Sequence, residues 1–338
     1  MSSPSADTTS GHAAGEARSL FFRRERVPVD LRDHLAGAPA FLVLNGPSLG
    51  QVDLRRLDVP GVLTMCLNNG PRALRPDLWL TCDPPARFLP SIWRDPRILK
   101  FARAHYHHAS LHELDARARG YEPEVRACFR SQLEAQEAAG NGAARNHRQL
   151  ARDCPRAVWF EDTCHHFDAA TFLTGPKVTI GDREVRSSML AALRVLYELG
   201  VREVYLLGCD FHMRKEQPYG FREPVSDRHV ERNNHYYGLL NERFQELQPH
   251  FAAHGLRVVN LNPSSGLRAF PMADFEVVLD HVTGSLHHLM ERERSHSFYV
   301  ADPSQSTPYV IDLQTAAIRR LADPAAQDQP RNQSVSSP

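Results

Sequence analysis

Short apolar runs, each closed by polar or glycine-rich residues, recur along the chain. They are Ala40-Phe-Leu-Val-Leu44, Val62-Leu-Thr-Met-Cys66, Leu78-Trp-Leu-Thr-Cys82, Ala157-Val-Trp-Phe160, Glu203-Val-Tyr-Leu-Leu207 and Arg257-Val-Val-Asn-Leu261. Continuous apolar stretches of this length are the pattern of parallel strands buried on both faces. Between them lie helical periods. Over Ser187–Leu199, serines stand at the start, Met189, Leu190, Leu193, Leu196 and Tyr197 make an apolar stripe, and Gly200 ends it. A second helix is predicted over Val230–Ala253, followed by Gly255 and a strand. Helix, short turn and strand repeated in this way imply right-handed crossovers. The predicted fold is an α/β, doubly wound, mostly parallel Rossmann-like sheet with helices on both faces.

The expected organisation is a disordered tail over 1–25 and a single nucleotide-binding catalytic domain over 26–290. A small β appendage over 291–322 and a second disordered tail over 323–338 complete it. Ala104–Asp153, rich in Arg, Glu, Gln, Ala and His and interrupted by Gly140-Asn-Gly142, is read as a helical insertion or lid.

The 338 residues suffice for a full core, and 40 Lys plus Arg balance 40 Asp plus Glu. No global basic field therefore advertises nucleic acid or a membrane surface. The apolar runs are strand-sized, far short of the roughly 20 residues a membrane helix needs. No apolar signal core opens the chain. The six cysteines include no CxxC pair, and reduced thiols in buried strands fit a cytoplasmic setting.

In open parallel sheets, ligands bind beyond the carboxyl ends of the strands. Here those ends carry Asn45-Gly46-Pro47-Ser48, Asn68-Asn69-Gly70, Asp83-Pro84-Pro85, Gly208-Cys209-Asp210 and Asn262-Pro263-Ser264. Each alone is an ordinary turn. Five small, polar ends on one edge point to a ligand rim. Neither a G-x-G-x-x-G fingerprint nor a Walker loop is present, which disfavours dinucleotide and P-loop chemistry.

The Asn45-Gly-Pro-Ser-Leu opening resembles the G-N-G-P-S-L loop of small bacterial sialyltransferases that use CMP-sialic acid. It also resembles motility-accessory glycosyltransferases and archaeal hydroxymethylpterin pyrophosphokinases. Ser187-Ser-Met-Leu, followed by Leu199-Gly-Val-Arg-Glu-Val-Tyr-Leu-Leu-Gly-Cys-Asp-Phe211, is similar to the sialyltransferase segment from T-S-G through L-G-Y-K-E-I-Y-L-S-G-I-D-F-Y. Asn260-Leu-Asn-Pro-Ser-Ser-Gly-Leu267 falls where that family has its C-P-N-S strand end. The likeness covers Phe41–Phe88 and Ser187–Leu267.

That resemblance implies an inverting, metal-independent transferase moving a sugar from a nucleotide-activated donor, CMP-type by preference, to a hydroxyl acceptor, with no cofactor. The acceptor class it leaves open is a surface glycan or a hydroxymethylated base in DNA. Asn45, Gly46, Pro47, Ser48, Asn68, Asn69, Asp83, Ser187, Ser188, Gly208, Asp210, Asn262 and Ser264 would form the donor site. Tyr219 and His212 would steady the leaving phosphate. His235 is the first candidate for the base and His229 the second. Arg186 is adjacent to where the family grips the sialic acid carboxylate, without matching it.

Two alternatives stand beside this. One is a Mg²⁺-dependent pyrophosphokinase-like enzyme using Asp83 and Asp210; the other is a non-catalytic nucleotide-binding module. His105, His107, His108 and His112, with Cys164-His165-His166, meet no standard zinc spacing and read as a solvated histidine-rich helix. Trp93 is either a packed residue or a platform for a base or sugar. Arg222 and Arg228 are candidates for gripping an anion.

Overall fold

The computed structural model describes residues 19–59, 61–111, 149–221 and 225–284, with the backbone of 309–312 and 317–320. A nine-stranded sheet organises the larger body. In chain order its strands are β1 (Phe21–Phe22), β2 (Pro28–Val29), β3 (Ala40–Val43), β4 (Leu63–Leu67), β5 (Leu78–Thr81), β6 (Leu99–Arg103), β7 (Ala157–Phe160), β10 (Glu203–Leu207) and β11 (Arg257–Asn260). β8 (Asp162–Thr163) and β9 (Val178–Thr179) make a separate parallel pair. The spatial order is β11-β10-β3-β4-β5-β6-β7-β1-β2, parallel from β11 to β7 and antiparallel for β1 and β2. The predicted α/β, mostly parallel sheet is therefore what forms.

Side chains alternate between faces, so each strand feeds two cores. Leu42, Leu80, Phe101 and Leu206 pack with Leu190, Leu193 and Leu196 of α2 (Ser188–Glu198) and with Phe244 and Phe251 of α3 (Asp227–Ala253). On the other face Phe41 touches Tyr205 and Phe275, which opens a further helix. There Trp79 meets Trp93 of the short α1 (Pro90–Arg94) edge-on at 4.9 Å. Trp93 is fully buried, so it is a packed residue and offers no platform to a ligand. Ser187 caps α2 by accepting from the Met189 N–H at 3.1 Å, and Ser226 caps α3 in the same manner.

Three expectations change. Residues 19–25 leave the predicted tail, because the Phe21–Phe22 pair is apolar enough to pay its way as a strand against β7 and is buried there. β6 forms where no strand was predicted. His107 is 1% exposed, wedged against Phe22 and Trp159, whereas His105, His108, His165 and His166 are exposed, so the solvated reading fails at His107 alone among the described histidines of the cluster. His112 and most of the proposed insertion lie outside the described residues, as do both outer tails. In the second unit, Tyr309–Asp312 pairs antiparallel with Ala317–Arg320. No described helix is long and apolar enough to cross a membrane.

Candidate active site

From β3 the chain steps through β4, β5, β6 and β7 in one direction, and it returns to place β10 on the other side of β3. The connections after β3 and β10 thus diverge and open a crevice at their carboxyl ends. The two loops that leave there are stitched together. Gly46 N–H donates to Gly208 C=O at 2.9 Å, and Ser48 Oγ donates to Asp210 Oδ2 at 2.7 Å. The approach is close enough that a Cβ on Gly46 would lie 1.9 Å from Asp210 Oδ2. Gly208 has φ +63°, and a side chain there would meet Leu49 at 2.7 Å.

Other segments join this seam. Gly220 N–H donates to Asn45 C=O at 2.8 Å, which brings the Tyr219 loop across. Gly266 N–H donates to Asp210 C=O at 2.7 Å, and the Asn262 side chain bonds the Asp210 carboxylate. On the neighbouring strand, Asn68 adopts φ +49° and its Oδ1 accepts from Thr81 Oγ1 at 3.2 Å and Ser188 Oγ at 3.4 Å. The segments around Asn45, Asn68, Asp210 and Asn262 therefore meet at one rim, beside a cavity of about 670 Å³.

Asn45, Gly46, Asn68, Asn69, Asp83, Ser187, Ser188, Gly208, Asp210, His212 and Tyr219 all line that cavity. Pro47, Ser48, Asn262 and Ser264 do not. They build the rim instead: Ser48 grips Asp210, and Asn262 Oδ1 accepts from Ser264 N–H at 3.0 Å. His235 is also absent from the wall and exposed on α3. Helix geometry explains this. Leu240 is buried and also borders the cavity, and His235 lies five residues earlier, about 140° around the helix. His229, eleven residues before Leu240, returns to within about 20° of it. The cavity wall therefore carries His229, the second candidate, and not His235, the first.

His229 is half-buried, with Tyr219 Oη 3.1 Å from Nε2 and Arg232 Nη2 3.3 Å from Nδ1. Burial, reinforced by Arg232 and Arg87 and opposed by Asp83, pulls its pKa down to about 4. The ring is neutral at neutral pH. Asp210 moves the other way: burial raises its pKa, against the Ser48 donors that favour the charged form. Burial pushes the Cys82 thiol up to about 12 and Cys209 higher still, so neither is a thiolate near neutrality.

Of the arginines of the wall, only Arg186 was singled out in the sequence. Arg87 pairs with Asp83 at 2.7 Å, and Arg103 pairs with Asp162 at 2.9 Å. Arg183, Arg186 and Arg232 complete the set. The spacing of Arg87 four residues after Asp83 was the available signal for the first; Arg103 was hidden by the unrecognised β6. Arg228 lies off the wall, and Arg222 is outside the described residues. Among the described residues, no group of three or more His, Cys, Asp or Glu side chains is placed to share a metal ion. Asp83 and Asp210 are instead committed to Arg87 and to Ser48.

Fold and site together define an α/β protein with a polar, arginine-bearing cleft at the switch point of a parallel sheet. The chain is similar to the sialyltransferase CstII from Campylobacter jejuni, solved with the substrate analogue CMP-3FNeuAc. The identity is 16% over 70% of this chain and 85% of that one, with a TM-score of 0.33. It is also similar to the Maf glycosyltransferase from Magnetospirillum magneticum AMB-1. There the identity is 11% over 76% of this chain and 36% of that one, with a TM-score of 0.40. No protein-family model and no curated protein matches the chain.

Proposed function

We propose that this protein transfers a sugar from a nucleotide-activated donor, CMP-type by preference, to a hydroxyl acceptor, either a glycan or a hydroxymethylated base in DNA. The observation that carries the proposal is the convergence of motif residues from distant parts of the chain on one cavity. Asn45, Asn68, Ser188, Asp210 and Tyr219 all reach it. Asn45 and Asn68 offer amide groups to a nucleotide, and Asp210 offers a carboxylate to ribose or sugar hydroxyls. Ser187 and Ser188 sit at the start of the eleven-residue α2, whose free N–H groups and dipole favour a phosphate.

Inverting transfer needs a base for the acceptor hydroxyl and donors for the charge that builds on the leaving phosphate. His229, neutral and on the wall, serves as the base in this reading. Tyr219 and His212 supply donors for the phosphate.

A thermal-shift screen against CMP-, UDP-, GDP- and ADP-linked compounds names the donor, because a ligand at 100 times its Kd adds about 2.7 kcal/mol. With that donor, His229→Ala is expected to lose at least about 100-fold in transfer rate while donor affinity holds. His235→Ala is expected to turn over normally. Full turnover by His229→Ala would remove the histidine from the mechanism.

A further inference from the structure

The imidazole of His229 is occupied on both sides, and the chemistry of its partners fixes where its proton lies. Arg232 Nη2 is 3.3 Å from Nδ1, and a guanidinium has only N–H groups to offer, so Nδ1 is the accepting nitrogen. A neutral ring carries one proton. That proton is then on Nε2, which donates to the Tyr219 oxygen 3.1 Å away. In this state neither nitrogen holds a lone pair open to a substrate hydroxyl.

The group on Nδ1 is also the one best able to leave. Arg232 is exposed and lies one helical turn after His229 on α3. Among the described residues no carboxylate pairs with it, so its contact with the ring is a cation against a neutral acceptor. Among the described residues, the other charges that act on the ring are Arg87 and Asp83 of the β5 connection, Arg87 disfavouring the imidazolium and Asp83 favouring it. Arg232 beside the neutral ring is itself a cation that an anion can engage.

We propose that Arg232 is a removable cover on the base: it holds Nδ1 in the free protein and is drawn off by the anionic group of the bound donor, exposing Nδ1 as the proton acceptor. This rests on the transferase reading. In the step that follows, the acceptor O–H proton passes to Nδ1 and its oxygen bonds to the anomeric carbon. The bond from that carbon to the phosphate oxygen breaks, and its electron pair leaves with the phosphate. The resulting imidazolium keeps its Nε2–H on Tyr219. Arg232 is a positioning residue in this scheme, and it makes the base available only once a donor is in place.

The test is ¹⁵N NMR of the histidine rings in the full chain. The free protein is expected to show His229 with a protonated Nε2 and a bare, hydrogen-bonded Nδ1. Adding CMP, UDP, GDP or ADP, whichever binds, is expected to shift the Nδ1 resonance and to raise the ring pKa by about one unit or more. Arg232→Met should show the uncovered signature without nucleotide, and Arg232→Lys should restore the covered one. A proton on Nδ1 in the free protein, or an Arg232→Met spectrum identical to the parent, overturns the proposal. A nucleotide that moves other resonances while Nδ1 stays put overturns the cover and leaves the donor site standing. No response to any of the four nucleotides overturns the transferase reading itself.

Discussion

At the residue scale, Asp210 shows how the rim is tuned. Its carboxylate accepts from both Ser48 Oγ and Ser48 N–H, and burial still pushes its pKa upward. Because the folded-state pKa lies above the unfolded one, ionising Asp210 costs stability as pH rises through the folded value. Ser48→Ala removes a donor that favours the charged form, which raises that pKa further and widens the gap. We expect Ser48→Ala to cost about 2 kcal/mol at pH 8 and only about 1 kcal/mol at pH 3, below the ordinary value of 3.8, where a carboxyl with a raised pKa is largely protonated. Urea denaturation of parent and variant at both pH values reads the difference, and equal losses would show that the hydroxyl does not serve the charge. The positions of Asn45, Asn68 and Asp210 were legible in the sequence, because a strand end followed by small polar residues is a local signal. His229 was legible only in part, as the second choice for the base, and Arg232 not at all. Which face of a long polar helix turns inward is set by Leu240, Phe244, Leu247 and Phe251, and stepping back from Leu240 by four, seven and eleven residues reaches Tyr236, Asn233 and His229.

At the scale of elements, β6 is the instructive case. Leu99-Lys-Phe-Ala-Arg103 does not read as an interior strand, since Lys100 and Arg103 interrupt the apolar run. The fold accommodates both cations at once. Lys100 is wholly buried, and its ammonium donates to the carbonyls of Asp95, Ile98 (2.9 Å) and Pro155 (2.8 Å). Three N–H groups meet three acceptors, so the charge is satisfied although burial pulls its pKa to about 8. No periodicity rule sees such a cage, because its acceptors come from turns around Asp95 and Pro155 that only the folded chain assembles. Lys100→Met keeps the apolar stem and strands the three carbonyls, at an expected loss of about 3 kcal/mol. A midpoint in guanidinium chloride within error of the parent would mean that water replaces the ammonium. The strands and helices that the sequence did announce, such as Glu203–Leu207 and Ser188–Glu198, carry uninterrupted apolar patterns and local caps.

At the scale of the whole molecule, sheet order accounts for the site. The chain fills the sheet on one side of β3 and then on the other, so beyond their bonded first residues the connections after β3 and β10 run to opposite sides, and the cleft lies beside that seam. Nothing in a single strand encodes that order; it follows from which crossover helices cover which face. One consequence lies in the three tryptophans. Trp79, Trp93 and Trp159 are all fully buried in the β5–β7 half, with Trp93 stacked on Trp159 at 6.2 Å. Only Trp79 reaches toward the cleft, donating its indole N–H to Asn68 C=O at 2.7 Å and meeting Phe88 edge-on. The protein therefore carries its own optical gauge. Nucleotide that engages Asn68 should perturb the emission of one buried indole, a response expected to vanish in Trp79→Phe and to survive in Trp159→Phe. Titrations followed by this intrinsic light would read occupancy without a label, while denaturation followed in the same channel would report on the β5–β7 half of the sheet, where all three indoles are packed.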